Sequence, residues 1–221
     1  MNELLKEGEQ AILSNQNQRA IELIDQVLRI DSKNLLAIYL KAQALTNLNK
    51  FEESVVEYDR LLGLVQNDPI WEVNANISKS DSLIELNKLN DAEACLDKAL
   101  AIKPKLARGW VHKSRIESRR KNFQKSLEYC DRAISVDPSD PRGWNNRAFA
   151  LYNLRKYKEC IKSAKKALSI KSDYAMAYLH MGRAYQELGK IRKSRDCEEK
   201  FQMIIRRGQT PEHTRGHLHI K

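Results

Sequence analysis

The residues of this chain that could bind a metal or react as nucleophiles are its histidines and cysteines. Three histidines stand close together near the C-terminus, His213, His217 and His219, in an H-x-x-x-H-x-H pattern. Imidazole nitrogens can bind a metal ion at such spacing. Glu212 is the one acidic neighbour and no cysteine is near, so we interpret residues 209–221 as a polar tail without a metal.

The four cysteines form no recognisable reactive pair. Cys95, Cys130, Cys160 and Cys197 show neither a C-x-x-C pair nor the spacing of a zinc site. Isolated cysteines usually behave as small apolar residues. We therefore expect partly buried apolar side chains, with a metal or redox site as the alternative.

No group of residues has the pattern of an active site. The sequence contains no nucleophile beside a base, no glycine-rich phosphate loop and no metal cage. We predict that the chain is not an enzyme and takes no cofactor.

Charge is divided unevenly along the chain. Residues 1–106 hold 12 Lys and Arg against 17 Asp and Glu, and residues 107–221 hold 27 against 12. The corresponding net charges are −5 and +15. A basic half of this kind attracts acidic partners, although a solubilising role for the lysines is the alternative.

Composition indicates a folded intracellular protein. Hydrophobic residues make up 42% of the chain and charged residues 31%, which is typical of soluble proteins. No run of about 18 apolar residues occurs, and the acidic start does not resemble a signal peptide. We therefore expect a cytoplasmic location and no membrane partner.

The elements that position these residues follow a repeat of 34 residues. Trp110 recurs as Trp144, and Ala133 recurs as Ala167. Large and small residues at fixed offsets in a period of this length are typical of a helix–turn–helix repeat.

With Trp110 and Trp144 numbered as position 4, the pattern resembles the tetratricopeptide repeat (TPR) family. The resemblance implies an all-α fold, a right-handed superhelical solenoid of antiparallel helix pairs. Small residues recur at positions 8, 20 and 27, where helices approach closely. Large residues at positions 4, 11, 17 and 24 fill the spaces between. Pro104 and Pro138 stand at position 32, where the second helix ends.

Six repeats in this frame predict one solenoid domain over residues 1–208, followed by the tail. Their bounds are about 1–34, 35–72, 73–106, 107–140, 141–174 and 175–208.

Some residues depart from the family pattern. Lys113 and Arg147 stand at position 7, which is usually apolar. Four extra residues lie between repeats two and three. We expect the second helix of repeat two to continue through Val65, and Pro69 to break it. Trp71 would follow in the connection and cover the seam between the repeats, with an exposed contact point as the alternative.

In the family, first-helix side chains at positions 2, 5, 6, 9, 12 and 13 line a concave groove. Carried over position by position, these side chains become basic from repeat four, beside asparagine and aromatic residues. The candidate partner-binding residues are Arg108, His112, Arg115, Arg142, Asn145, Asn146, Phe149, Tyr152 and Arg183. Arginine presents a planar fork to carboxylates or phosphates, and asparagine can hydrogen-bond a peptide backbone.

One known groove of the family holds the C-terminal carboxylate of a chaperone tail. It needs Lys at 5 and Asn at 9, then Asn at 6 of the next repeat, then Lys at 2 and Arg at 6 of the third. In repeats four to six Asn146 is the one match, because the other positions hold Val111, Arg115, Met176 and His180. A co-chaperone function in an altered form stays an alternative.

These observations together predict a non-catalytic protein–protein interaction scaffold or adaptor. It would bind an acidic peptide or partner protein in the concave groove of its basic C-terminal half. The second hypothesis is a nucleic-acid-associated basic solenoid, although no nucleic-acid-binding motif is present. The third is self-association through an uncapped C-terminal end, where Phe201, Met203, Ile204 and Ile205 lie.

Overall fold

The structure, a computed structural model, describes residues 1–65 and 67–207. Within these residues the chain forms twelve α-helices and no β-strand. The helices are α1 (Asn2–Leu13), α2 (Asn17–Ile30), α3 (Leu35–Asn47), α4 (Phe51–Leu64), α5 (Pro69–Glu85), α6 (Leu89–Ile102), α7 (Ala107–Arg119), α8 (Phe123–Val136), α9 (Pro141–Asn153), α10 (Tyr157–Ile170), α11 (Ala175–Glu187) and α12 (Ile191–Arg206). The predicted all-α class of antiparallel helix pairs is confirmed.

The chain divides into two compact units, Met1–Pro104 with α1–α6 and Lys105–Lys221 with α7–α12. We call them the N-terminal unit and the C-terminal unit. Each contains three helix pairs that pack in chain order. The single solenoid over residues 1–208 stays a prediction, and the tail at 209–221 lies outside the described residues.

A tight turn of constant geometry joins the two helices of every repeat. Position 15 has a positive φ in all six repeats, from 58° at Asn87 to 69° at Gly189. The N–H groups of positions 16 and 15 donate to the carbonyls of positions 11 and 12, at 2.8–3.1 Å. Asparagine and glycine tolerate this left-handed backbone, whereas for other residues the conformation costs about 1 kcal/mol of free energy. Repeats four and five nevertheless place Lys121 and Arg155 there.

Small residues bring the paired helices close together, as the sequence predicts. A Cβ added to Gly182 at position 8 would lie 3.1 Å from the Cβ of Cys197. Ala133 and Ala167 at position 27 are fully buried. The core of the C-terminal unit therefore consists of tightly packed helices whose backbones nearly touch.

The four extra residues lengthen α5 rather than α4, so that prediction was wrong. α4 has 14 residues, like α2, α6, α8 and α10, while α5 has 17 where α3, α7, α9 and α11 have 13. The Asp68 carboxylate accepts hydrogen bonds from the N–H groups of Ile70 and Trp71, and Pro69 follows it in the first turn. Asp68 and Pro69 thus start a helix.

Trp71 belongs to this extra turn and packs inside the N-terminal unit. Its ring meets the edge of Tyr39, 5.8 Å between centroids, and it lies against the core around Tyr58 and Leu61. The prediction that Trp71 covers the seam between repeats two and three is confirmed, although it lies in a helix.

Both charged residues at position 7 find partners within the C-terminal unit. Arg147 donates to Asp131 Oδ1 at 2.7 Å and to Ser163 Oγ at 2.8 Å, and so joins α9 to both α8 and α10. The ammonium group of the buried Lys113 lies over the Tyr129 ring, 5.6 Å from its centroid. The repeat therefore tolerates charge here without losing its packing.

All four cysteines are buried, and none is in a disulfide. Burial raises the pKa of Cys130 and of Cys160 to about 12. These thiols stay protonated at neutral pH and are poor nucleophiles. The prediction of apolar packing residues is confirmed. Of the helices in residues 1–65 and 67–207, none has both the length and the apolar character to cross a membrane.

Candidate partner-binding wall

The first helices of repeats four to six, α7, α9 and α11, pack side by side in the C-terminal unit. Asn146 Nδ2 donates to Ser114 Oγ at 3.1 Å and to the Val111 carbonyl at 3.4 Å, which ties α9 to α7. The rings of Phe149 and His180 lie 5.3 Å apart between centroids and join α9 to α11. These three helices, called the wall below, carry all nine candidate residues.

Two arginines of the wall have no counter-ion within residues 1–65 and 67–207. Arg108 in the first turn of α7 and Arg183 on α11 are partly exposed, and neither forms an ion pair with any described residue. The Arg108 Nε is buried and has no hydrogen-bond partner. Both guanidinium groups are therefore able to receive an acidic group from a ligand.

Arg142, in contrast, is paired with Asp140, the N-cap residue of its own helix. Its Nε and Nη2 donate to the two carboxylate oxygens of Asp140, at 2.9–3.1 Å. Asp140 also accepts from the Arg142 backbone N–H and caps α9. A partner would have to compete with this bidentate ion pair.

His112 and Arg115 lie deeper than a surface groove requires. His112 is 1% exposed and Arg115 is 7% exposed. Asn146 is also buried and already donates to α7. These three side chains shape the wall more than they face solvent.

Asn145 is buried as well, but its amide oxygen is not satisfied. The residue is 1% exposed, and Oδ1 has no hydrogen-bond partner. Leaving such a group unpaired costs about 1–3 kcal/mol. Asn145 is therefore, like Arg108, a residue of the wall with a buried polar atom that has no hydrogen-bond partner.

The aromatic residues of the wall are partly exposed and packed on neighbours. Phe149 contacts Phe123, 6.1 Å between ring centroids, in addition to His180. Tyr152 lies 5.7 Å from Tyr157. Burial and then the charge of Glu187 raise the pKa of Tyr152, while Arg183 opposes them. Tyr152 thus stays neutral near pH 7 and offers an apolar face beside Arg183.

The structure reveals one polar residue of the C-terminal unit that sequence analysis missed. Glu117 stands at position 11, which is leucine in repeats two, three and five. Its buried carboxylate accepts from Arg120 at 2.9 Å, Asn122 at 2.9 Å and Lys125 at 3.3 Å. Burial raises the pKa of Glu117, but these three hydrogen bonds outweigh it and hold the pKa below its ordinary value. The signal in the sequence was a charged residue at a position that is apolar elsewhere.

Metal binding finds no support in the part of the chain that the structure describes. No group of three or more His, Cys, Asp or Glu side chains is placed there to hold an ion. His213, His217 and His219 lie outside the described residues.

Comparison with known families identifies the repeats. Models of the tetratricopeptide repeat match residues 11–77, 73–106 and 141–174. The model of the protein prenyltransferase alpha subunit repeat matches residues 123–154, which are α8 and α9. Together with the repeating turns and helix pairs, these matches show that the chain belongs to the tetratricopeptide repeat family. The comparison with curated proteins found no match.

Solved structures share the fold at low sequence identity. A chain of the APC/C hetero-tetramer Cut9–Hcn1 has a TM-score of 0.80 and 12% identity, over 91% of this chain and 39% of that chain. A tetratricopeptide repeat protein from Parabacteroides merdae has a TM-score of 0.77 and 20% identity, over 91% and 77%. YrrB, a TPR protein with an unusual peptide-binding site, has a TM-score of 0.53 and 16% identity, over 87% and 95%. What these structures share with this chain is the all-α superhelical repeat fold.

Proposed function

We propose that this protein is a scaffold or adaptor that binds an acidic peptide or partner protein along α7, α9 and α11. Tetratricopeptide repeats generally serve as non-catalytic protein-interaction scaffolds, and this chain consists of them. YrrB, which shares the fold, has a peptide-binding site. Both facts support the general class of function.

The single observation that carries the proposal is the pair of arginines without counter-ions, Arg108 and Arg183. An excess of positive charge on a partly buried wall favours a ligand with carboxylate groups. Tyr152 beside Arg183 adds an apolar face for a side chain of the ligand. Acidic residues interleaved with apolar ones are the ligand sequence that this arrangement favours.

Asn145 is as buried as His112, so it supports the proposed site from inside the unit and does not contact the ligand. His112, Arg115, Arg142 and Asn146 then belong to the site as structural members. Their internal contacts or burial keep the wall rigid, which lowers the entropy lost on binding.

A selection from a random peptide library tests this proposal. The wild-type protein is expected to enrich peptides rich in Asp and Glu, and the R108E/R183E variant is expected to lose them. The matched control is K162E/K166E, because both lysines are exposed on α10, form no ion pair with a described residue and give the same change in net charge.

The control should retain the wild-type peptides, and circular dichroism should show equal helicity in all three proteins. Enrichment of neutral or basic peptides by the wild type would refute the acidic-ligand assignment. Equal losses in R108E/R183E and in the control would show that net charge, rather than the wall, determines binding.

A further inference from the structure

The turns between the first and second helices of repeats four, five and six lie along one edge of the C-terminal unit. Because α7, α9 and α11 pack side by side in the same direction, their C-terminal ends and the turns that follow are neighbours. Tyr157 after the fifth turn donates to Glu187 before the sixth, at 3.4 Å. A surface recess of about 310 Å³ lies between these two turns, lined by Arg155, Lys156, Lys158 and Leu188 among others.

This edge carries exposed basic residues in all three repeats. We call them the basic edge: Lys121, Arg155, Lys156, Lys158, Lys190, Arg192 and Lys193. None forms an ion pair with a described residue. Lys193 lies over the Tyr185 ring, 5.8 Å from its centroid. Glu159 and Glu187 are the exposed acidic residues beside the fifth and sixth turns, so the edge keeps a strong positive excess.

Three other basic residues of the C-terminal unit are neutralised by ion pairs. Arg147 pairs with Asp131, Arg142 pairs with Asp140, and Arg120 pairs with Glu117. The corresponding turns of the N-terminal unit hold asparagine at position 15 and at most one lysine after it. The basic edge is thus a feature of repeats four to six alone.

Backbone conformation gives an independent indication that the charges at two of these positions matter. Lys121 and Arg155 have φ values of 64° and 60° at position 15, where the other four repeats have asparagine or glycine. A long side chain at this position is less favourable than asparagine. Strain that persists in a fold is often retained for a functional reason.

We propose that the basic edge binds the phosphate backbone of a nucleic acid. Protein interfaces are depleted in lysine and need an apolar centre, and binding at a membrane surface needs apolar side chains that insert among the basic ones. Ile191 is the one strongly exposed large apolar residue next to these seven in the described chain. Phosphates, in contrast, are contacted mainly by basic and polar side chains.

The size of the edge fits several consecutive phosphates. Neighbouring packed helices lie about 8–10 Å apart, so three turns span roughly 20 Å. Phosphates along one strand of a duplex recur about every 3.4 Å of axis. A contact of this kind reads charge and does not read base sequence.

Fluorescence anisotropy with a labelled single-stranded RNA of mixed sequence tests the proposal. We expect wild-type binding that weakens steeply between about 50 and about 200 mM salt. The K121N/R155N variant places the asparagine of repeats one to three in both turns. It should bind about tenfold more weakly at low salt, and its log–log salt slope should fall by about 1.4.

The same variant should have a higher Tm than the wild type, because asparagine relieves the strained backbone. A loss of affinity then cannot come from unfolding. The matched control is K33N/K98N, which removes two exposed and unpaired lysines of the N-terminal unit; its RNA affinity should stay within about twofold of the wild type.

Three results would overturn the proposal. The first is no RNA binding at low salt. The second is an equal loss of affinity in K33N/K98N and K121N/R155N. The third is binding to phosphatidylserine vesicles without binding to RNA, which would assign the edge to a membrane surface.

Discussion

Glu117 is held by three donors at a position that leucine fills in repeats two, three and five. Its side chain is 1% exposed, and the donors Arg120 and Lys125 remain partly accessible to water. Hydrogen bonds to a charged group contribute about 1.5–3 kcal/mol each. The carboxylate therefore connects the end of α7, the turn and the start of α8.

Replacing Glu117 by glutamine should lower the free energy of unfolding by roughly 1–3 kcal/mol at pH 7. The folded pKa of Glu117 lies below its ordinary value of 4.5. At pH values between the lowered pKa and 4.5, the unfolded chain therefore binds more protons than the folded chain. The stabilisation is complete above pH 4.5 and is lost as the pH falls through the lowered pKa. The stability difference between wild type and E117Q should shrink accordingly.

Urea unfolding at a series of pH values measures this difference. E128Q is the control, because Glu128 is exposed on α8 and forms no ion pair with a described residue. A difference between wild type and E117Q that persists unchanged at acidic pH would contradict the assigned role of the carboxylate.

Single side-chain partners were the least predictable feature of the candidate wall. Family geometry identified the helices and the positions, and the structure brings α7, α9 and α11 together as expected. Family geometry could not show that Arg142 pairs with Asp140, two residues away, while Arg108 and Arg183 have no such partner in the part of the chain that the structure describes. That distinction depends on helix capping and on rotamers, which the repeat period does not encode.

At the scale of helices, α11 and α12 approach each other closely at Gly182. An added Cβ would lie 3.1 Å from the Cβ of Cys197 and 3.5 Å from the Ser194 carbonyl oxygen. Both neighbours belong to α12 and cannot rotate away. The helices would have to separate to accept any side chain at this position.

Gly182→Ala should therefore destabilise the protein by about 1–3 kcal/mol. Gly63→Ala is the matched control: Gly63 is exposed on α4, and an added Cβ there meets nothing within 4 Å. That variant should gain about 0.5–1 kcal/mol from helix propensity. Thermal unfolding of both variants measures these changes in stability. A G182A protein as stable as the wild type would contradict the close packing of α11 and α12.

The repeat register followed from the sequence, but the length of one helix did not. The second helix of each repeat begins at position 17, and the positive φ at position 15 explains the asparagines that recur there. The four-residue insertion was assigned to the wrong helix because Asp68–Pro69 was interpreted as a break. The same pair caps and starts α5, and local sequence alone does not distinguish the two roles.

At the scale of the whole molecule, the two units differ in net charge, and both contain paired and unpaired basic residues. In the N-terminal unit, Lys41 lies between Asp25 at 2.8 Å and Glu57 at 3.4 Å. In the C-terminal unit, Arg108, Arg183 and the basic edge have no ion-pair partner among the described residues. Self-association through α12 stays a prediction: Phe201 and Ile204 are buried, while Met203 is half exposed.

Site-specific photo-cross-linking tests the central claim that α7, α9 and α11 hold a protein partner. A photoreactive phenylalanine analogue at Tyr152 should form an adduct with a partner protein, and R108E/R183E in the same chain should abolish that adduct. The same analogue at Ser169, exposed on α10 and outside the wall, should form little of it. Equal adducts at Tyr152 and Ser169, or an adduct at Tyr152 that survives R108E/R183E, would contradict the account.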